Sequence, residues 1–149
     1  MALLADVFGD DFKQGRVRPG AVVYMDVEFT DHPKYLLIAC CEPECLVFVI
    51  NSEINEFYHD KPALYGCHVD LPFEDHKFMQ HDSFINCVDV NKTIPLLEII
   101  GKVKGNYDFC FKGDIKAYCV RNVLYAVEAT PVMSPIDKQR VTDALTPYS

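Results

Sequence analysis

Two short polar stretches flank the most hydrophobic part of this 149-residue chain, and both carry side chains able to do chemistry. The first, Thr30-Asp31-His32-Pro33-Lys34, supplies an imidazole and an amine. The second, Asn51-Ser52-Glu53, supplies an amide, a hydroxyl and a carboxylate. An imidazole titrates near neutral pH and can accept and then return a proton, while an amine and a hydroxyl can steady an anion that builds up beside it. Each group also has a plainer reading. His32 fits a solvated turn before proline, Lys34 a strand-start lysine guarding an edge, and Asn51-Ser52 a turn cap.

Four further stretches bear candidate chemistry. Gln80-His81-Asp82-Ser83 gathers the residue types of a hydrolase triad, but neighbours on an extended chain alternate faces, so Asp82 and Ser83 are expected to satisfy backbone donors and His81 stands as a second proton carrier. Cys40, Cys41 and Cys45, with Cys67-His68, lack the paired knuckle spacing of a structural zinc site, and no metal or cofactor is expected. Cys87, Cys110 and Cys119 sit among apolar neighbours as small core residues. Phe109, Phe111, Tyr118 and Tyr125, with Lys112, Lys116 and Arg121, offer aromatic and basic groups, but their spacing suits a packed amphipathic face better than a stacking surface.

Positioning these groups falls to the apolar runs. Tyr35 to Cys41 and Cys45 to Ile50 are predicted to pair as a central hairpin about Glu42-Pro43-Glu44, which brings their polar ends to one rim. Ala21 to Phe29 makes a strand before them, and Cys67 to Leu71 and Phe84 to Val90 two after them, with a loop and short helical turn over 53–66. Pro95 permits a helix that begins there, Gly113-Asp114 is expected to stop and cap ahead of a long helix from Ile115 to Val127, and Ser134-Pro135-Ile136-Asp137 opens a closing helix to about Leu145. The expected fold class is α+β, a small strongly bent antiparallel barrel with two or three peripheral helices.

Half the residues are hydrophobic and about a quarter charged, as in an ordinary globular protein, and the net charge of -8 argues against bulk, sequence-blind binding of nucleic acid. The N-terminal residues lack the pattern of a secretion signal and no stretch suits a membrane span, so a cytoplasmic location is expected. The seven cysteines are expected to be reduced. Residues 1–19 are read as an N-terminal arm and 20–149 as a single domain.

The order PGAVVYMDV, HPKYLLI, CLVFVINSE, DSFINCVDVNKTI, IGKV and SPIDKQRVTDAL resembles the MazF/PemK-type toxins over residues 20–104 and 131–146, with an insertion near 105–130. The resemblance implies an SH3-like barrel with a C-terminal helix, a homodimer, metal-independent cleavage of single-stranded RNA, and restraint by an antitoxin protein. It places His32 where the family carries an arginine before the proline, Ser52 at the family's hydroxyl position, and Asn86 and Asp89 where relatives carry an arginine and an aspartate. On this reading His32, Lys34 and Ser52 are catalytic, and Asn51, His81, Asn86 and Asp89 bind substrate. The competing class is a non-catalytic interaction module that kept the barrel and lost the arginines.

Overall fold

The hairpin at the middle of the chain organises the molecule. In the computed structural model, which describes residues 2–149 and side chains from residue 9 onward, β2 (Lys34–Cys40) and β3 (Leu46–Asn51) pair antiparallel about the acidic turn, with Tyr35 opposite Ile50 and Leu37 opposite Phe48. A bulge at Ala39 turns both Ala39 and Cys40 toward one face and bends the hairpin. β1 (Ala21–Met25) pairs with β2, β5 (Ser83–Asn86) with β3, and β4 (His68–Leu71) with β5. β6 (Phe111–Asp114) adds to β1, giving the order β4-β5-β3-β2-β1-β6 in a strongly curled antiparallel half-barrel.

Both faces of this sheet are buried near its centre, which is why β1, β2 and β3 read as continuous apolar runs rather than clean alternation. On one face Val22, Leu37, Phe48 and Ile50 pack against α5 (Ala117–Ala129) and α6 (Pro135–Leu145) through Val120, Val123, Val127, Val141 and Leu145. On the other, Val23, Met25, Leu36 and Val47 pack against α3 (Leu96–Gly105) and α4 (Tyr107–Cys110) through Ile99, Val103 and Cys110. Each fully buried aliphatic side chain contributes about 1.5–3 kcal/mol from leaving water, so the two-sided core accounts for a half-barrel that stays together without a closing ladder.

The expected elements hold with four corrections, the first being that β1 stops at Met25 rather than running to Phe29. Phe111–Asp114 is a sixth strand and α5 packs on the core, so the helices are more than peripheral. Gly113 and Asp114 are strand residues rather than a helix stop and cap; α5 starts after Lys116. The fifth strand ends at Asn86, where the side-chain oxygen takes the Val88 N–H at 3.0 Å and turns the chain out of the ladder. The 2–15 stretch is a helix, α1 (Ala2–Gly15), whose apolar residues Leu3, Leu4, Val7 and Phe8 lie outside the described side chains. The closing helix follows expectation, with the Ser134 hydroxyl accepting the Asp137 N–H at 3.2 Å. Among the described residues no helix is long and apolar enough to cross a membrane.

The half-barrel's open side is bridged by a loop. Residues 72–82, between β4 and β5, cross to the β6–α5 junction, where His76 is buried. The Lys116 N–H donates to His76 Nε2 at 3.0 Å, so Nε2 carries no proton and Nδ1–H donates to the Pro72 carbonyl at 2.8 Å. Next to it the Phe78 ring packs against Gly113, where a Cβ would stand 2.5 Å from the nearest ring carbon. The Tyr118 hydroxyl donates to Asp75, tying α5 to the same loop.

Candidate functional site

The hairpin register carries directly to the site. With Tyr35 opposite Ile50, Lys34 stands opposite Asn51 at the end of the sheet, and Lys34 Nζ donates to Asn51 Oδ1 at 2.6 Å. The partner is a neutral amide oxygen, so this contact orients the ammonium without cancelling its charge. Partial burial holds the Lys34 pKa below the usual lysine value.

Lys34, Asn51 and Ser52 line a hollow of about 640 Å³ together with Glu53, Ile54, Asn55, Glu56 and His59. Its far wall is built locally. Asn55 Oδ1 accepts the Phe57 N–H at 2.9 Å and starts a single helical turn, Glu56–Tyr58, and Lys61 closes that turn by donating to the Phe57 carbonyl at 2.8 Å. The turn presents His59, whose Nε2 lies 3.0 Å from the Ile54 carbonyl and must carry the proton there. In the neutral ring Nδ1 is then the acceptor nitrogen.

A second hollow, of about 240 Å³, lies on the other flank of the same turn and is lined by Val49, Tyr58, Asn86, Val88, Asp89, Val90 and Asn91. Val49 and Asn51 are two apart on β3 and face the same side, so the two hollows are neighbours on one face of the sheet. Asn86 Nδ2 donates to the Tyr58 hydroxyl at 3.4 Å, and Asp89 Oδ1 takes the Val90 N–H at 2.9 Å.

Five of the seven residues singled out in the sequence thus gather in two adjoining hollows: Lys34, Asn51 and Ser52 in one, Asn86 and Asp89 in the other. His32 and His81 stand apart. The His32 ring is exposed, with Nδ1 3.1 Å from the Pro33 carbonyl and Nε2 4.0 Å from Asp31, and it is not part of the Lys34 hollow's lining. His81 contacts the Asp82 carbonyl at 2.9 Å and Ser83 Oγ at 3.3 Å, while Asp82 turns to take the Phe73 N–H at 2.9 Å, so no carboxylate orients that imidazole. His59 is the residue the sequence reading passed over. Its signal was the capping Asn55 three residues after Ser52, which folds the chain back toward the strand end.

The remaining candidates separate. Phe111 stacks on Tyr107 at 5.2 Å beneath the Arg16 guanidinium, Tyr118 is engaged by Asp75, and Tyr125 lines another hollow with His68 and Asn122, so the aromatic residues 109–125 form no common surface. All seven cysteines are free thiols. Burial pushes Cys41 up to about 11 and Cys45 up to about 12, with neighbouring thiols and carboxylates adding to the shift. Among the described residues no cluster of three His, Cys, Asp or Glu side chains is arranged to hold a metal ion. No protein-family model matches the chain, and no curated protein shows significant similarity to it.

Proposed function

We propose that the protein is a MazF/PemK-like, toxin-type endoribonuclease that cleaves single-stranded RNA without a metal, and that the hollow at Lys34 is its site. The observation that carries the reading is the Lys34–Asn51 contact at 2.6 Å on a hollow shared with Ser52 and His59. Cleavage through the 2′-hydroxyl needs a proton acceptor for that hydroxyl, a cation for the pentavalent phosphorus and an acid for the leaving 5′-oxygen. His59 Nδ1 accepts the 2′-hydroxyl proton as that oxygen bonds to phosphorus, Lys34 meets the developing charge and gives a proton to the leaving 5′-oxygen as its bond to phosphorus breaks, Asn51 holds the lysine in place, and Ser52 donates to a phosphate oxygen. His32, two residues before Lys34, is the competing proton carrier. The curled antiparallel sheet and the C-terminal helix α6 agree with the barrel that the resemblance implies. The same reading gives the protein a cytoplasmic location, a homodimeric state and an antitoxin partner.

A second reading is a non-catalytic interaction module. It is favoured by Glu53 and Glu56, which line the hollow and set two carboxylates against one amine, a balance that repels phosphate at low salt. Incubating a mixed RNA pool with the protein in a chelator, beside Lys34→Ala, His59→Ala and His32→Ala, separates the two. The enzyme reading expects cleavage that Lys34→Ala and His59→Ala abolish. Cleavage no greater than theirs leaves the module, and loss in His32→Ala alone transfers the proton to His32.

A further inference from the structure

The Lys34 hollow has a neighbour on its other side. Met25 pairs with Lys34 in the β1–β2 register, and Met25 also lines a separate hollow of about 280 Å³ with Asp26, Gly101, Lys102, Gly105, Asn106, Phe109 and Cys110. Gly101 and Gly105 of α3 line this hollow, and a Cβ at either position would meet nothing within 4 Å among the described residues. Phe109, on α4, stands at the margin of the sheet, 46 % exposed, with its ring edge-on to Tyr24 at 5.4 Å. Tyr24 in turn packs on Tyr35 at 4.4 Å. The Lys112 ammonium sits 5.6 Å from the Tyr24 ring centre and 5.7 Å from that of Phe109.

An open aromatic ring with amines beside it is the pairing that holds a nucleotide: a base stacks on the ring and its phosphate meets the cation. Lys34, Lys102 and Lys112 place three amines along this stretch of a chain whose net charge is -8, and among the described residues Asp26 is the one carboxylate lining the hollow. Phe109 and Lys112 come from the segment outside the family resemblance, so the feature belongs to this chain's own architecture.

We propose that this hollow is a binding subsite for a nucleotide flanking the one held at Lys34, with the base on Phe109 and its phosphate between Lys102 and Lys112. The inference rests on the reading of the Lys34 hollow as an RNA site. It assigns α4 and the start of β6 to substrate binding and makes the footprint run along the sheet end, from Asn86 through Lys34 to Phe109.

The test measures the anisotropy of an end-labelled single-stranded RNA of mixed sequence, on the order of ten nucleotides, over a range of salt concentrations. Wild type is set beside Phe109→Ala, Lys102→Ala, Lys112→Ala and Lys34→Ala, each checked for native circular dichroism. Phe109→Leu serves as the folded substitute should the alanine variant lose structure. Removing the ring is expected to weaken binding roughly tenfold with little change in salt dependence. Removing either lysine is expected to weaken it and to lower the slope of log K against log salt by about 0.7. Binding that Lys34→Ala weakens while the Phe109, Lys102 and Lys112 variants bind as wild type does overturns the subsite and leaves the Lys34 reading standing. Absence of binding by the wild-type protein at low salt overturns both.

Discussion

Lys34 and His76 show how single side chains fix the geometry of this protein. Lys34 is held by an amide, so on the proposed endoribonuclease reading Asn51→Ala should leave Lys34 unaimed, lowering the cleavage rate more than RNA affinity; equal losses in both would assign Asn51 to binding instead. Buried His76 satisfies the Lys116 N–H and the Pro72 carbonyl together, and His76→Ala strands both. A cost of about 2–4 kcal/mol in urea unfolding is expected, and an unchanged midpoint would mean that water replaces the ring. The cysteines give a pH signature. Cys41 and Cys45 keep their protons to about 11 and about 12 in the folded chain, above the 9.0 of a free thiol. The unfolded chain therefore binds fewer protons in that window, and stability must fall as pH rises from about 9 toward 12. Urea midpoints measured across it should decline, and less steeply in Cys45→Ala. At these positions the sequence was informative where a residue's role is local, as with Asp82 on the Phe73 N–H. It was silent on His59, because an exposed loop histidine takes its meaning from the wall it joins across the hollow.

Among the elements, the hairpin, β1 and α6 were legible because their signals are local: apolar runs bounded by a proline turn, and a capping serine three residues before an acid. β6 was not. Phe111–Asp114 is four half-buried residues with no alternation, and what makes them a strand is β1 beside them, some ninety residues earlier in the chain. Its Gly113 has a packing reason that only the fold reveals. Gly113→Ala would drive a Cβ into the Phe78 ring, and a loss of about 1–3 kcal/mol is expected. Combining it with Phe78→Ala should remove most of that increment in a double-mutant cycle, and a fully additive pair would show that the clamp between the 72–82 loop and β6 is not where the strain falls. Ser134→Ala should cost α6 about 1 kcal/mol by freeing the Asp137 N–H.

At the scale of the molecule, a half-barrel buried on both faces leaves its polar side chains at the sheet's end, where strand termini stop pairing and meet water, and the proposed chemistry is placed there. That placement was readable in outline, since a hairpin must return its two ends to one rim. The neighbouring hollows were not, because the 55–59 turn folds back on a single capping side chain and α4 reaches that rim from a distant part of the chain. The acidic surface limits long-range attraction of RNA, so the account requires the local amines to do the holding, and affinity should fall steeply with salt. The most direct test follows the breakdown of a labelled single-stranded RNA in a chelating buffer by wild type and by Lys34→Ala. The account predicts turnover by the wild-type protein and a loss on the order of a hundredfold or more in the variant. Intact RNA with wild type, or equal turnover by both proteins, would contradict it.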